Sequence, residues 1–372
     1  MQELLRDRAN LLITVIGVGG CGCNTINMLS ENNFHTSVNL VAVNTDLAVL
    51  NHALVDTKIL IGESLTNGYG AGADPAIGLK AAEESDEILR SVIDGSDIVI
   101  ITAGFGGGTG TGASPYIANI CRELAINCIA IVTLPFESES HMRMSYALEG
   151  IERIKTPTHA FITLSNDLLL KGLGESVGLF SAFKHSNDVL NNLLTALVQM
   201  VTQTGFINVD INDFARVLSY EGESILGVGT AESEENAFTA LDNAINNPIV
   251  DNVNIASAKG VILQICCRNE PTIETYNGLL NKIQQQVKCK STLIIAGVTL
   301  DTTLANEIEL LVIASGIEPV SEQTPKVEPT IPVGSKQVLD YISDELTFIT
   351  EDEEYTDIPS IIRNMKDTKL KE

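Results

Sequence analysis

Basic residues are scarce in this sequence. Its 372 residues carry 23 Lys plus Arg against 48 Asp plus Glu, a formal charge of −25. So acidic a surface repels phosphate backbones and anionic lipid headgroups, which excludes direct nucleic-acid or lipid-surface binding unless a basic patch is segregated somewhere. Long apolar runs are missing too. No uninterrupted stretch reaches membrane-spanning length, and Met1-Gln2-Glu3-Leu4-Leu5-Arg6-Asp7-Arg8 holds no signal-peptide apolar core. A cytoplasmic protein with no direct membrane insertion is expected. Metal-ligand patterns are also absent. Cys21-Gly22-Cys23 is too tightly spaced for a zinc knuckle, and His141, His159 and His185 have no partners at ligand spacing. The seven cysteines are an odd number and mostly sit in apolar runs, as buried reduced thiols do.

What is present is apolar: 44% of residues are hydrophobic and only 19% charged, enough for sizeable cores in two or three units. Leu11–Val18, Val38–Val43, Lys58–Ile61, Asp97–Thr102, Cys128–Thr133 and Ala160–Leu164 read as strands. Their near-continuous Val and Ile content suits a parallel sheet covered on both faces. Helical patterns alternate with them, Pro75–Ile93 reading as one helix, so a doubly wound α/β domain is expected. Ser176–Thr204 reads as one long helix with a broad apolar stripe that can pack against two bodies. Beyond it, strands at Ser224–Gly227, Gly260–Cys267, Thr292–Val298 and Glu309–Ala314 alternate with helices at Glu234–Ile245 and Thr272–Val287, a second and smaller α/β unit. From Ile317 to Tyr355 prolines recur and acids far outnumber lysines, the composition of a disordered linker. As a flexible coil it would span on the order of 35 Å.

Two glycine-rich loops carry the chemistry. Gly17-Val18-Gly19-Gly20-Cys21-Gly22 follows the first strand and opens a helical pattern, satisfying GxGxxG. Such glycines let backbone N–H groups approach a phosphate at a helix N-terminus. With Asp46 closing the second strand and placed to grip a ribose, an NAD-dependent oxidoreductase is one reading, and a ligand-free turn another. Gly104-Phe105-Gly106-Gly107-Gly108-Thr109-Gly110-Thr111-Gly112 lies between a strand and a helix at Ser114–Leu124. Its successive N–H groups can form an anion nest, and Thr109 and Thr111 can add hydroxyls or help a cation. GxxxxGK[ST] is absent from the chain. Two such loops without a P-loop lysine fit one polyphosphate held by backbone donors and helix dipoles.

The run Gly106–Gly112, followed by Ala113-Ser114-Pro115, resembles the signature of the tubulin/FtsZ family of GTPases. Gly17–Asn24 resembles that family's first nucleotide loop, Ala42–Asp46 its second, and Gly70–Pro75 its γ-phosphate-sensing loop. Pro135–Arg143 resembles the ribose-proximal segment, Ser165-Asn166-Asp167 with Phe183 and Asn187-Asp188 the guanine pocket, and Asn208–Asp213 the catalytic loop. These matches run in order along the chain from about residue 11 to 316.

The resemblance implies a tubulin-like α/β fold. A Rossmann-type parallel-sheet GTPase domain would cover residues 1–175, and a central connecting helix 176–207. A smaller α/β C-terminal domain carrying the catalytic loop would cover 208–316, an acidic linker 317–355, and a short partner-binding peptide 356–372. It implies GTP or GDP, with Mg2+, held by Gly20, Cys21, Gly22, Cys23, Asn24, Asn44, Ala71 and Gly72. The signature loop would add Gly104, Gly106, Gly107, Gly108, Thr109 and Gly110. Thr133 would also contact the nucleotide, Pro135, Glu139 and Arg143 would sit by the ribose and base, and Asn166, Phe183, Asn187 and Asp188 by the guanine. Asn208, Asp210 and Asp213 would be catalytic, reaching the nucleotide of the next copy in a head-to-tail filament. The chain departs from the family at Cys21 and Cys23, which stand in a glycine run and place thiols near the nucleotide, and at Ser138 and Ser140.

The residues alone allow other readings. Asp210 and Asp213 are also spaced as helix N-caps. Phe183 is equally a core aromatic. The NAD reading leaves the second glycine loop unexplained. A polymer-forming or partner-binding protein of the same fold without turnover is the other rival. Near the C-terminus, Ile358, Ile361, Ile362 and Met365 fall at helical spacing after Pro359, an apolar stripe that either anchors a partner or docks on its own domain. Asp357–Met365 resembles the peptide by which division members of the family bind membrane-tethering and regulatory proteins at mid-cell.

Overall fold

The computed structural model describes residues 11–31, 38–167, 178–202, 206–207, 209, 211–220, 222–245, 255–289, 291–302 and 304–317. Asn208, Asp210, the side chain of Phe183, the acidic linker beyond Ile317 and the Asp357–Met365 stripe lie outside the described residues.

The first domain is built on six parallel strands: β1 (Ile13–Val18), β2 (Val38–Asn44), β3 (Thr57–Leu60), β4 (Ile98–Gly104), β5 (Asn127–Leu134) and β6 (Ala160–Ser165). They lie in the order β3-β2-β1-β4-β5-β6. β1 is in register with β2 on one side and β4 on the other, Ile13 facing both Val38 and Ile98. β1 and β4 are buried along nearly their whole length, because helices cover both faces. Those helices are α1 (Gly19–Glu31), α2 (Leu47–Asn51), α3 (Glu63–Thr66), α4 (Pro75–Glu84), α5 (Asp86–Ile93), α6 (Thr109–Glu123) and α7 (His141–Lys155).

The stretch expected as one helix over Pro75–Ile93 is two. Ser85 closes α4, its N–H bonded to Ala82 and Glu83 carbonyls, while its hydroxyl accepts the Gly62 N–H at 3.1 Å. Asp86 and Glu87 then open α5. α7 was not expected at all. Its stripe of Ala147, Gly150, Ile151 and Ile154 is narrow and partly of small residues.

The long connecting helix, α8 (Leu179–Thr202), buries Leu190, Leu193, Leu194, Leu197 and Val198. These join one apolar core with residues of β1, β5 and β6 on one side and Phe214, Leu226, Ile262 and Ile313 on the other. The broad stripe therefore welds two sheets through one helix. The second sheet holds β7 (Glu223–Ala231), β8 (Gly260–Cys267), β9 (Leu293–Leu300) and β10 (Ile308–Ile317), in the order β7-β10-β8-β9. β10 runs antiparallel to both of its neighbours. Packed with it are α9 (Ile211–Leu218), α10 (Ala237–Ile245) and α11 (Ile273–Gln286).

Candidate functional site

In an open parallel sheet, ligands sit outside the carboxyl ends of the strands where the strand order reverses. Here that point falls between β1 and β4, and a cleft of about 400 Å³ opens there. Its floor is made by the two glycine loops. Gly19 has φ +74°, and a Cβ on it would come 2.9 Å from the Gly110 N, so the starts of α1 and α6 touch backbone to backbone. Neither helix has an acidic residue in its first turn, and Gly108 offers α6 no side-chain cap. The first-turn N–H groups and the positive dipole ends are thus left for an anion.

Of the residues expected at the nucleotide, the cleft is lined by Gly20, Cys21, Asn24, Gly104, Gly107, Gly108, Thr109, Gly110, Thr133, Pro135, Glu139, Arg143, Asn166 and Asn187. Gly20 and Gly107 have no atom within 4 Å of where a Cβ would stand. Both face open space that a ligand can enter. Thr109 is held by a hydroxyl pair with Thr45 at 2.7 Å. Glu139 accepts the Phe136 N–H at 3.1 Å and pairs with Arg143 at 2.5 Å, which fixes the guanidinium on the rim. Ser140 caps α7 by accepting the Arg143 N–H at 3.2 Å.

Other expected residues are placed behind this surface. Gly22 packs α1 on β4, where a Cβ would sit 2.5 Å from the Thr102 carbonyl oxygen. Gly106, at φ +98°, turns the loop beneath Arg143 and Pro135. Ala71 is 4% exposed, and a Cβ on Gly108 would press against it. Gly72 holds a left-handed turn at φ +58° beside open space, outside the cleft lining. Asn44 is spent internally: its Nδ2 donates to Cys23 Sγ and its Oδ1 accepts the Asp46 N–H. Thr111 accepts the Gly106 N–H at 2.9 Å and faces the loop, not the cleft. Asp188 is half-buried on α8, one residue past the cleft-lining Asn187.

The two cysteines separate, against the expectation of two thiols by the nucleotide. Cys21 lines the cleft, 3.6 Å from the Thr133 hydroxyl. Cys23 is 1% exposed in the core below, because successive side chains on α1 point to different faces. Burial raises both thiols, Cys23 to about 11, so neither is a thiolate at neutral pH. Asp46, read as a possible ribose grip, does not line the cleft, and its Oδ1 caps α2, accepting the N–H groups of Ala48 and Val49.

Three lining residues escaped the sequence reading. Gly19 was legible as the middle glycine of GxGxxG. Phe105 was legible as the one large residue in a glycine run, where it is buried against Gly150 of α7. Leu134, the end of β5, carried no signal.

Asp213 lies half-buried in the first turn of α9 and does not line the cleft. Among the described residues, Glu139 is the only carboxylate lining it. A larger cavity, about 610 Å³, lies at the opposite edge of the sheet. Among the described residues no helix N-terminus lines it, so the smaller cleft is the better candidate for an anion.

Comparison with known proteins agrees with this geometry. The tubulin/FtsZ family GTPase-domain model matches residues 12–174, and the FtsZ family C-terminal-domain model matches residues 222–318. The chain is 32% identical to a cell division protein FtsZ of Wigglesworthia glossinidia brevipalpis, over 99% of this chain and 100% of that one. It is 38% identical to cell division protein FtsZ 1 of Methanocaldococcus jannaschii, covering 85% and 86% of the two chains. A solved empty FtsZ dimer from M. jannaschii superposes with a TM-score of 0.77 at 37% identity, over 85% of this chain and 91% of that one. The chain therefore belongs to the tubulin/FtsZ family of GTPases and not to the dinucleotide oxidoreductases, with the FtsZ family's C-terminal domain following its GTPase domain.

Proposed function

We propose that the protein is a polymer-forming GTPase of bacterial cell division whose GTP is hydrolysed where two copies meet. The observation that carries this is an omission in the single copy. The cleft supplies donors for a triphosphate but, among the described residues, no carboxylate except Glu139, which is already tied to Arg143. Orienting a water at the γ-phosphate needs a further acceptor. Asp213, with Asp210 and Asn208 beside it in sequence, belongs to another part of the same chain. A second copy stacked head to tail would bring that loop over the first copy's nucleotide, a heterologous contact that propagates into open filaments.

In this reading the first-turn amides of α1 and α6 cradle the phosphates. Arg143 steadies the charge at the rim, and Asn166, Asn187 and Asp188 read the guanine, Asp188 accepting from N1–H and the exocyclic amine. Mg2+ would travel with the triphosphate. Among the described residues no group of three or more His, Cys, Asp and Glu gathers to hold a cation, so phosphate oxygens and water would complete most of its shell. Asp213 acts by orienting the water for attack on the γ-phosphate. The names of the relatives place such a protein in cell division. Residues 356–372 would serve as the anchor for membrane-tethering and regulatory partners at mid-cell.

Phosphate release per chain, measured against protein concentration, tests the shared site. It is expected to rise with concentration and to level off once light scattering shows assembly with GTP but not GDP. Asp213→Ala should lower turnover about a hundredfold or more while GTP affinity changes little. Turnover per chain that is constant from dilute monomer upward would refute the proposal.

A further inference from the structure

Among the described residues, the 610 Å³ cavity is a large feature that GTP chemistry leaves unused. It lies at the amino-terminal edge of the six-stranded sheet, between the two domains. On the GTPase side are Arg122 at the end of α6 and the turn from Lys155 to Phe161 that joins α7 to β6. Tyr220 and Gly222, between α9 and β7, close it from the other domain. We propose that this cavity binds a small organic anion with an apolar body, such as an aromatic carboxylate, sulfonate or phosphate ester.

The charge is the first argument. In a chain of net charge −25, this cavity is lined by the two cations Arg122 and Lys155 and, among the described residues, by no Asp or Glu. Arg122 has no ion pair among the described residues. Among the described residues Lys155 is ion-paired only with Glu152, an exposed contact at 2.7 Å that competes weakly with a ligand. The cations also complement the dipoles of the helices they end. That accounts for their presence, but not for a cavity between them.

The walls are the second argument. Phe161 and Tyr220 contribute ring surface and Pro157 an apolar floor. The Lys155 ammonium stands 5.4 Å from the Phe161 ring centre, so charge and ring are presented together. His159 is fixed as a neutral donor. Its Nδ1 accepts the Cys128 N–H at 3.1 Å, which leaves the proton on Nε2, and burial keeps it from charging. The volume is that of a small-molecule site. A bare inorganic anion would use the cations and waste the walls. An uncharged ring would use the walls and leave the cations unpaired.

The test uses the full chain saturated with GDP, so that the other cleft is filled, and naphthalene-1-sulfonate as probe. The chain has no Trp, so naphthalene emission is read without indole background. Expected are saturable binding of one molecule per chain, weakening as salt is raised, and a loss of about tenfold or more in the double variant Arg122→Ala, Lys155→Ala. Both residues are exposed, and an unchanged melting temperature verifies the fold of the variant. Should it fold poorly, Lys155→Glu alone must give a loss of the same sign. Unchanged affinity in these variants, absence of saturation, or displacement by inorganic phosphate at concentrations no higher than naphthalene-1-sulfonate itself requires would each overturn the proposal.

Discussion

At the scale of single residues, the glycines divide by what a methyl group would meet. On Gly112 it would overlap the Pro75 carbonyl oxygen and approach the Leu79 N at 2.6 Å, because α4 lies against α6 at backbone distance. On Gly107 it would meet nothing within 4 Å. Gly112→Ala should therefore cost about 3 kcal/mol of stability, seen in chemical denaturation. Gly107→Ala should leave stability nearly unchanged and weaken GTP binding, seen in a filter assay. The same loss in both would mean that Gly107 also serves packing. Sequence alone could not make this division. GxGxxG identified a phosphate loop, yet Gly20, at one of its open positions, faces the cleft, while Gly22, one of its fixed glycines, faces the Thr102 carbonyl. The separation of Cys21 from Cys23 was hidden for the same reason.

At the scale of elements, α7 links the cleft to the rest of the first domain. Ser140 caps it, Glu139 and Arg143 pair across its start, and its other end supplies Lys155 to the second cavity. Ser140→Ala should destabilise the protein by about 1 kcal/mol. Because the capped N–H is that of Arg143, the KM for GTP should rise more than kcat falls. Steady-state kinetics would show it, and a change in kcat alone would disconnect the cap from the cleft. α7 was readable, with Ser140 before a stripe at 147, 150, 151 and 154, but half of that stripe is Ala and Gly and gave little hydrophobic contrast. The break at Ser85 was also written in the sequence, as Ser followed by Asp and Glu, an N-terminal signal inside an apparent helix. β7 runs past its Ser224–Gly227 expectation, and Gly227 and Gly229 within it make room for the Ala244 and Ala240 carbonyls of α10. The strands of the first sheet were legible from their Val and Ile runs. Their order was not, since it is set by contacts between distant segments.

At the scale of the whole molecule, the described fold ends at Ile317, where β10 completes the second sheet. A chain ending at Val320 keeps every element described and should retain GTP turnover and GTP-dependent light scattering. Under the proposed function it loses only the capture of tail-binding partners. Loss of assembly in that truncation would assign residues 321–372 a part in the filament itself. The two-domain plan was legible because the α8 stripe was too broad for one neighbour, and its residues do enter a core shared by both sheets.

The glycine-loop floor of the cleft contains almost no side chain that mutation could delete. Main-chain N–H groups come with every residue except proline, so other exchanges cannot erase them. Heritable damage here should therefore cluster at bends, as altered curvature of the loops, and seldom as missing charge. A survey of inactivating alleles would find bulk added far more often than function subtracted.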